Sequence, residues 1–425
     1  MSGILFIILL GLTISSSVAA SHLPVLGATL QDIESDIFGA LGEFQSYSQE
    51  EIDKHVQKIE ERVTRYGYPF ETHSVQTEDG YILGLHRIPY SPNNGPVPEK
   101  PVIYLQHGLL CSSNDWIMAG PGKGLAFILA DLGYDVWMGN SRGNSFSKNH
   151  AWLHPKSKSF WDFSFHQIGY YDLPAMIDYI LQITGESRLN YAGHSQGTLV
   201  FFIMTSLRPE YNIKIRSMHA LAPVVFMGNV PNPFFRVLAP LLSQVSLLNK
   251  LLGSFEFLPS TTMKRLAGSV LCRDQSTFQP ICANILFLIG GYNHDNLNYT
   301  LLSDILQVTP AGASVNQIIH YAQGVPSGKF RQYDYGILKN LLVYKSLWPP
   351  DYPLGEITAP IHLYYSNNDW LAAVKDVQIL ASKLQNVVYN KIVPDLTFNH
   401  FDFLWGLNVR EMVYDDLIEN IQRYV

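Results

Sequence analysis

The stretch Leu189-Asn190-Tyr191-Ala192-Gly193-His194-Ser195-Gln196-Gly197-Thr198 decides how this chain is read. Residues 189–192 read as a short apolar strand and 198–207 as a helix. Between them, Gly193-His194-Ser195-Gln196-Gly197 fits the pattern G-x-S-x-G, a strained strand-to-helix turn that exposes a serine. Bulky side chains at the glycine positions would collide with the adjacent strand and helix. The turn aims the hydroxyl at the N-terminal end of the helix, where the dipole and free N–H groups favour developing negative charge. The pattern alone is weak, because Gly139-Asn140-Ser141-Arg142-Gly143 also fits. Ser141 follows a strand as well, but Asn144-Ser145-Phe146-Ser147 is not a comparable helix start. Ser195 is therefore the candidate nucleophile. Residues 139–143 read as a polar loop at the strand ends, with Arg142 tying neighbours together.

Working outward, strand and helix signals alternate. Asp79-Gly80 between 72–77 and 81–87 predicts a hairpin. Strands are expected at 101–105, 135–138 and 216–220, and helices at 124–132 and 173–183. The alternation stops near Ala222 and resumes with a strand at 361–365, a helix at 373–384, a strand at 387–392 and a last helix at 411–424. This predicts an α/β fold, a mostly parallel central sheet with helices on both faces, built from 66–222 and 351–425. Residues 223–350 are Pro- and Phe-rich and read as an insertion. Ser48 and Glu51 form a capping-box pattern that opens a polar helix running to about Arg65, within an N-terminal segment 21–65.

The chain has 425 residues, 47% of them apolar and 15% charged, enough to bury a large core. Net charge is −7, from 29 Lys and Arg against 36 Asp and Glu, and no basic run appears, so nucleic acid is not an expected partner. The apolar run 4–12, followed by Val18-Ala19-Ala20, reads as a signal peptide over 1–20, although its start carries no Lys or Arg. Secretory entry makes Asn298-Tyr299-Thr300 a usable glycosylation sequon. It also makes a disulfide between Cys272 and Cys282 plausible, leaving Cys111 as a free thiol. No later segment is long and apolar enough for a transmembrane anchor.

A serine hydroxyl needs a base, and on an elbow of this kind the order along the chain is Ser, Asp or Glu, then His. Of the later histidines, His219 and His362 fall inside predicted strands, and His294 and His320 lie in the insertion. His400 follows the last strand and a loop, where the carboxyl edge of the sheet would present it. Asp369 follows the strand 361–365 through Ser366-Asn367-Asn368 and emerges at the same edge. Its rivals are worse placed: Asp376 lies within a predicted helix, and Asp395 and Asp402 are too near His400 in sequence. The backbone N–H groups of Gln196 and Leu109, the latter in His107-Gly108-Leu109-Leu110, are the candidate oxyanion donors. His150 and His154 have helical i, i+4 spacing, but no glutamate follows the first and Pro155 follows the second. No metal and no cofactor are expected.

From about Tyr66 to the C-terminus the chain resembles the acid lipase family of α/β-hydrolases, which includes gastric lipase and lysosomal acid lipase (cholesteryl ester hydrolase). The resemblance rests on Thr77-Glu78-Asp79-Gly80-Tyr81, Gln106-His107-Gly108-Leu109-Leu110, Gly139-Asn140-Ser141-Arg142-Gly143-Asn144, Tyr171-Asp172-Leu173-Pro174, Gly193-His194-Ser195-Gln196-Gly197-Thr198, Ser327-Gly328-Lys329-Phe330 and Asn399-His400-Phe401-Asp402-Phe403. It implies triad roles for Ser195, Asp369 and His400 and oxyanion roles for Leu109 and Gln196. It also implies a mobile, largely helical cap or lid in the insertion. His166 departs from the pattern, since the family usually carries an acidic residue there.

Between 223 and 258 the only charged residues are Arg236, Lys250 and Glu256, which suits an apolar cover accepting acyl chains or a lipid surface. The expectation is a secreted or lysosomal serine hydrolase acting on neutral lipid esters at a lipid–water interface. An acyltransferase using the same triad, and a non-catalytic lipid-binding or storage protein, are the alternatives.

Overall fold

The computed structural model describes residues 49–233, 235–236, 239, 255–258 and 286–424. The expected signal peptide, Ser48 and the expected Cys272–Cys282 bridge lie outside the described residues.

Among the described residues the central sheet has nine strands: β1 (Glu71–Gln76), β2 (Tyr81–Ile88), β3 (Val102–Gln106), β4 (Asp135–Gly139), β5 (Asn149–His150), β6 (Leu189–His194), β7 (Ile215–Leu221), β10 (Ile361–Tyr365) and β11 (Val387–Ile392). A separate two-stranded ribbon pairs β8 (Glu256–Phe257) with β9 (Ala313–Ser314). The order in the main sheet is β1-β2-β4-β3-β6-β7-β10-β11, with β5 beside β2. From β4 to β11 every pairing is parallel, whereas β2 pairs antiparallel with β1, β4 and β5. Every residue of β3, β4, β6 and β10 is buried, which suits their largely apolar, non-alternating text: a strand covered on both faces has no need to alternate. β11, at the edge, does alternate between half-buried and exposed positions.

The described α-helices of four residues or more are α1 (Gln49–Thr64), α2 (Leu125–Asp131), α3 (Leu173–Thr184), α4 (Gln196–Leu207), α5 (Tyr299–Val308), α6 (Val315–Ser327), α7 (Ile337–Tyr344), α8 (Val374–Lys383), α9 (Asp402–Trp405) and α10 (Asp415–Gln422). α1 matches the expected polar helix, but it buries a stripe, Ile52, Ile59 and Val63, that docks it on the domain. α4 is buried from Gln196 to Ser206, so it packs behind the sheet rather than on the surface. The expected last helix is divided. A π-helical turn, Arg410–Tyr414, precedes α10.

Parallel strands send their carboxyl ends to one edge. The loops after β3, β6, β7 and β10 therefore converge there, which is where open α/β sheets hold their ligands. Main-chain bonds lock this edge: Ser195 N–H donates to Leu221 O (2.9 Å) and Ala222 N–H to Tyr364 O (2.8 Å).

Candidate active site

Ser195 sits between β6 and α4 with φ 52° and ψ −116°, a left-handed backbone on a residue with a Cβ. Such strain persists only where the surroundings enforce it. A Cβ at Gly193 would lie 2.7 Å from the Gly197 carbonyl, and one at Gly197 would strike the carbonyl of Gln106 in β3. Both glycines are therefore required by close packing of strand, turn and helix. Gln196 is the first helical residue, so its N–H has no intrahelical acceptor.

The loop after β3 lies against this turn. A Cβ built on Gly108 would be 3.2 Å from the Ser195 Cβ and 3.2 Å from His194 Nδ1. His107 orients the loop. Its Nδ1–H donates to Gly108 O (2.7 Å), while its Nε2 accepts from Ser141 N (3.0 Å) and Asn144 Nδ2 (3.2 Å). Burial pushes the His107 pKa down to about 4, so the ring is neutral with a defined tautomer. With the Gly108 carbonyl held on that ring, the Leu109 N–H of the same peptide plane points the opposite way.

His400 is buried. Its Nδ1 lies 2.8 Å from Asp369 Oδ2, and the other oxygen, Oδ1, accepts the N–H groups of Leu371 and Ala372 (2.8 Å each). A carboxylate accepts only, so Nδ1–H is the donor and Nε2 is left without a proton in the neutral ring. The rival aspartates have other partners. Asp376 accepts from Asn229, Asp395 from Thr397, and Asp402 from Asn293 Nδ2 and Asn399 N–H. His194, next to Ser195, donates from Nε2 to the His400 carbonyl (2.9 Å), with ring centroids 4.7 Å apart. Asp369 and His400 are thus bonded to each other at the carboxyl edge, His194 ties the His400 main chain to the Ser195 turn, and the loop at Gly108 packs against that turn.

The remaining histidines are placed differently. His219 and His362 stack in the core (4.4 Å), His320 is buried against Phe165, and His294 is exposed. The second G-x-S-x-G sequence is a buried polar hub. Ser141 Oγ accepts from Gln106 Nε2 (3.0 Å), and Arg142 joins Asp172 (2.6 Å) and Asp79 (2.6 Å). His166, the departure from the family pattern, pairs with Tyr352 OH (2.9 Å).

Sequence reasoning missed the support that reaches the site from 286–296. Gly290 O accepts from both Trp370 N–H (3.2 Å) and His400 N–H (3.1 Å), stapling the acid loop to the base loop. A Cβ at Gly290 would come within 2.6 Å of the Phe401 ring, so only glycine fits. Asn399 Nδ2 donates to Gly291 O (2.9 Å). The Gly290-Gly291 pair was the available signal. From α6, Gln317 accepts from Gln196 Nε2 (2.8 Å), linking the segment between β7 and β10 directly to the turn.

Two family descriptions match the chain: a partial alpha/beta-hydrolase lipase region at residues 59–120 and the alpha/beta hydrolase fold at 101–407. Lipase 3 of Drosophila melanogaster is 48% identical over 364 residues, 86% of this chain and 92% of its own length. Gastric triacylglycerol lipase of Mus musculus is 40% identical over 362 residues (85% and 90%), and lipase member K of Homo sapiens 40% over 369 (86% and 91%). A solved lipase candidate from Sulfolobus solfataricus shares the fold alone, with TM-score 0.53 and 12% identity over 83% of this chain and 94% of that one. The chain therefore belongs to the α/β-hydrolase lipase family that includes gastric triacylglycerol lipase and lipase member K, and is a carboxylic ester hydrolase.

Proposed function

We propose that the chain hydrolyses neutral lipid esters, triacylglycerols or cholesteryl esters, through an acyl-enzyme on Ser195. The observation that carries this is the 2.8 Å bond between buried His400 and Asp369, at the same sheet edge as the strained Ser195 turn. In this reading His400 Nε2 takes the Ser195 proton as Oγ attacks the ester carbonyl. Asp369 holds the ring and stabilises its charged form, and the N–H groups of Leu109 and Gln196 hold the oxyanion. The alcohol leaves with the proton from His400. Water, deprotonated by the same ring, then releases the fatty acid and restores the serine.

Residues 223–350 act in this reading as a cap over the serine, tied through Gln317 to Gln196 beside it. The lipid class is drawn from the triacylglycerol named for the gastric relatives and from the apolar text of 223–258. Passage through the secretory pathway, to the exterior or the lysosome, goes with it. Asn298 is the proposed glycan acceptor: it caps α5, is only half-buried, and its Oδ1 already accepts the Thr300 hydroxyl (2.7 Å).

The test is Ser195→Ala, with emulsified triacylglycerol, cholesteryl oleate and a soluble short-chain ester as substrates. Turnover and fluorophosphonate labelling should both vanish while the circular dichroism stays unchanged. Retained turnover would refute the mechanism.

A further inference from the structure

Helix α7 is built inside out. Its one buried residue is polar: Asn340 accepts from Tyr335 N–H (3.0 Å) and donates to Asp334 Oδ1 (2.8 Å) and Leu347 O (3.0 Å). These bonds fix the polar edge inward. At 100° per residue, Leu338 and Leu342 then point directly away from the body of the protein. Leu338 is 81% exposed and Leu342 73%, and the chain continues through exposed Leu347 and Trp348 (62%). Isolated surface leucines need no explanation, but a run of this density on one face marks an interaction site.

Charge on the face indicates what covers it. From 335 to 350 the chain carries Lys339 and Lys345 and no acidic residue, within a protein of net charge −7. Lys339 lies over the Tyr335 ring (4.2 Å), and Lys345 donates to the Leu342 carbonyl (3.1 Å). Among the described residues neither lysine has a carboxylate partner. The flanking acids are already engaged, Asp334 with Asn340 and Gly336 N–H, and Asp351 with Arg331 (3.2 Å). An apolar helix face edged by uncompensated lysines complements a surface that is apolar inside and negatively charged outside. A second copy docked on this face would bring like charges together.

We propose that α7 and the Ser346–Trp348 turn are an in-plane anchor that docks the protein on a phospholipid surface carrying anionic headgroups. Leu338, Leu342 and Trp348 enter the acyl boundary, and Lys339 and Lys345 lie at headgroup level. This deepens the lipid-ester reading, since it names the surface that would bring Ser195 to its substrate. The anchor is distinct from the cap contact through Gln317, and none of its residues belongs to the catalytic constellation.

The test is vesicle flotation in the Ser195→Ala background, which leaves the lipid intact. Vesicles of phosphatidylcholine with phosphatidylglycerol are compared with phosphatidylcholine alone. The parent should float with the anionic vesicles, less so at high salt. The variant L338S/L342S/W348S should lose binding at least tenfold. K339E/K345E should lose the preference for anionic vesicles. On the Ser195 enzyme, both variants should retain turnover of a soluble short-chain ester while losing it on an emulsion made with phosphatidylglycerol. Unchanged flotation of the triple variant overturns the anchor. So does a concentration-dependent dimer that this variant abolishes, or binding that appears only after residues 21–48 are removed, since then another copy or the chain's own acidic segment occupies the face. Loss of soluble-ester turnover in the Ser195 parent itself would instead count against the catalytic reading and leave the flotation result standing.

Discussion

The imidazole of His194 holds the main chain of His400: its Nε2–H donates to the His400 carbonyl at 2.9 Å, inside a site where both rings are buried. The neighbour of the candidate nucleophile thus positions the candidate base. Burial, then the nearby His400 ring, keeps His194 well below the usual histidine range, so it stays a neutral single donor. Its Nδ1 is buried beside Gly108 and has no hydrogen-bond partner among the described residues. His194→Phe should leave the carbonyl unpaired and lower kcat by about 10- to 100-fold, from a loss of about 1–3 kcal/mol. His194→Gln, which can still donate, should recover part of it. A rise in KM with kcat unchanged would contradict a positioning role.

Asp369→Asn tests the orienting acid. The amide can keep the contact but donates where the carboxylate accepted, which favours the wrong tautomer of His400. A loss in kcat on the order of 10⁴-fold is expected, with little change in the melting temperature. A loss below tenfold would remove Asp369 from the mechanism.

Ser141→Ala discriminates between the two G-x-S-x-G sequences. Ser141 accepts one bond from Gln106 and its N–H holds His107, a bond that the alanine keeps. Ester turnover should stay within a few-fold of the parent, at a stability cost of about 1 kcal/mol. Abolished turnover in a folded Ser141→Ala protein would reopen the choice of nucleophile.

Arg142→Ala should be among the most destabilising single changes. The guanidinium is fully buried between Asp172 and Asp79 and lies 4.0 Å from the centre of the Tyr81 ring. Its removal leaves the buried Asp172 carboxylate without its cation and takes the same partner from half-buried Asp79, at about 3–5 kcal/mol in chemical unfolding. Arg142→Lys should not restore it, because an ammonium cannot span both carboxylates with a planar fork.

Acidification should destabilise the protein. Burial depresses His86 and His320 to about 3 and His107, His166 and His362 to about 4, while unfolded histidines titrate near their ordinary value. The stability they contribute is complete above about pH 6.5 and is lost as pH falls toward their folded values. Asp115 and Asp402, raised to about 6 by burial, act in the opposite sense, favouring the folded state below about pH 4 and losing that contribution as pH rises toward 6. The histidines are more numerous and should dominate. Thermal unfolding of Ser195→Ala should drop by more than about 10 °C between pH 7 and pH 4.5. A midpoint that rises on acidification would contradict this assignment of buried neutral rings.

Much of this protein is local and therefore legible in its text. Strands β3, β4, β6 and β10 are covered on both faces and so are largely apolar without a two-residue alternation, and Asp79-Gly80 marks the hairpin by itself. The glycines around Ser195 report a turn that no other residue could make, and the chain order of Ser195, Asp369 and His400 follows from which strand ends they leave. Other features depend on neighbours distant in sequence. The Gly290-Gly291 pair marks a tight approach but does not name the Asp369 and His400 loops that the Gly290 carbonyl staples, and nothing near His107 reveals that Ser141 and Asn144 fix its ring. The apolar text of α7 does not say which side is covered; tertiary contacts place Asn340 inward and the leucines outward. Periodicity records how much of an element is apolar, whereas which side meets the body of the protein is decided by packing and by the polar groups that must find partners once water is gone.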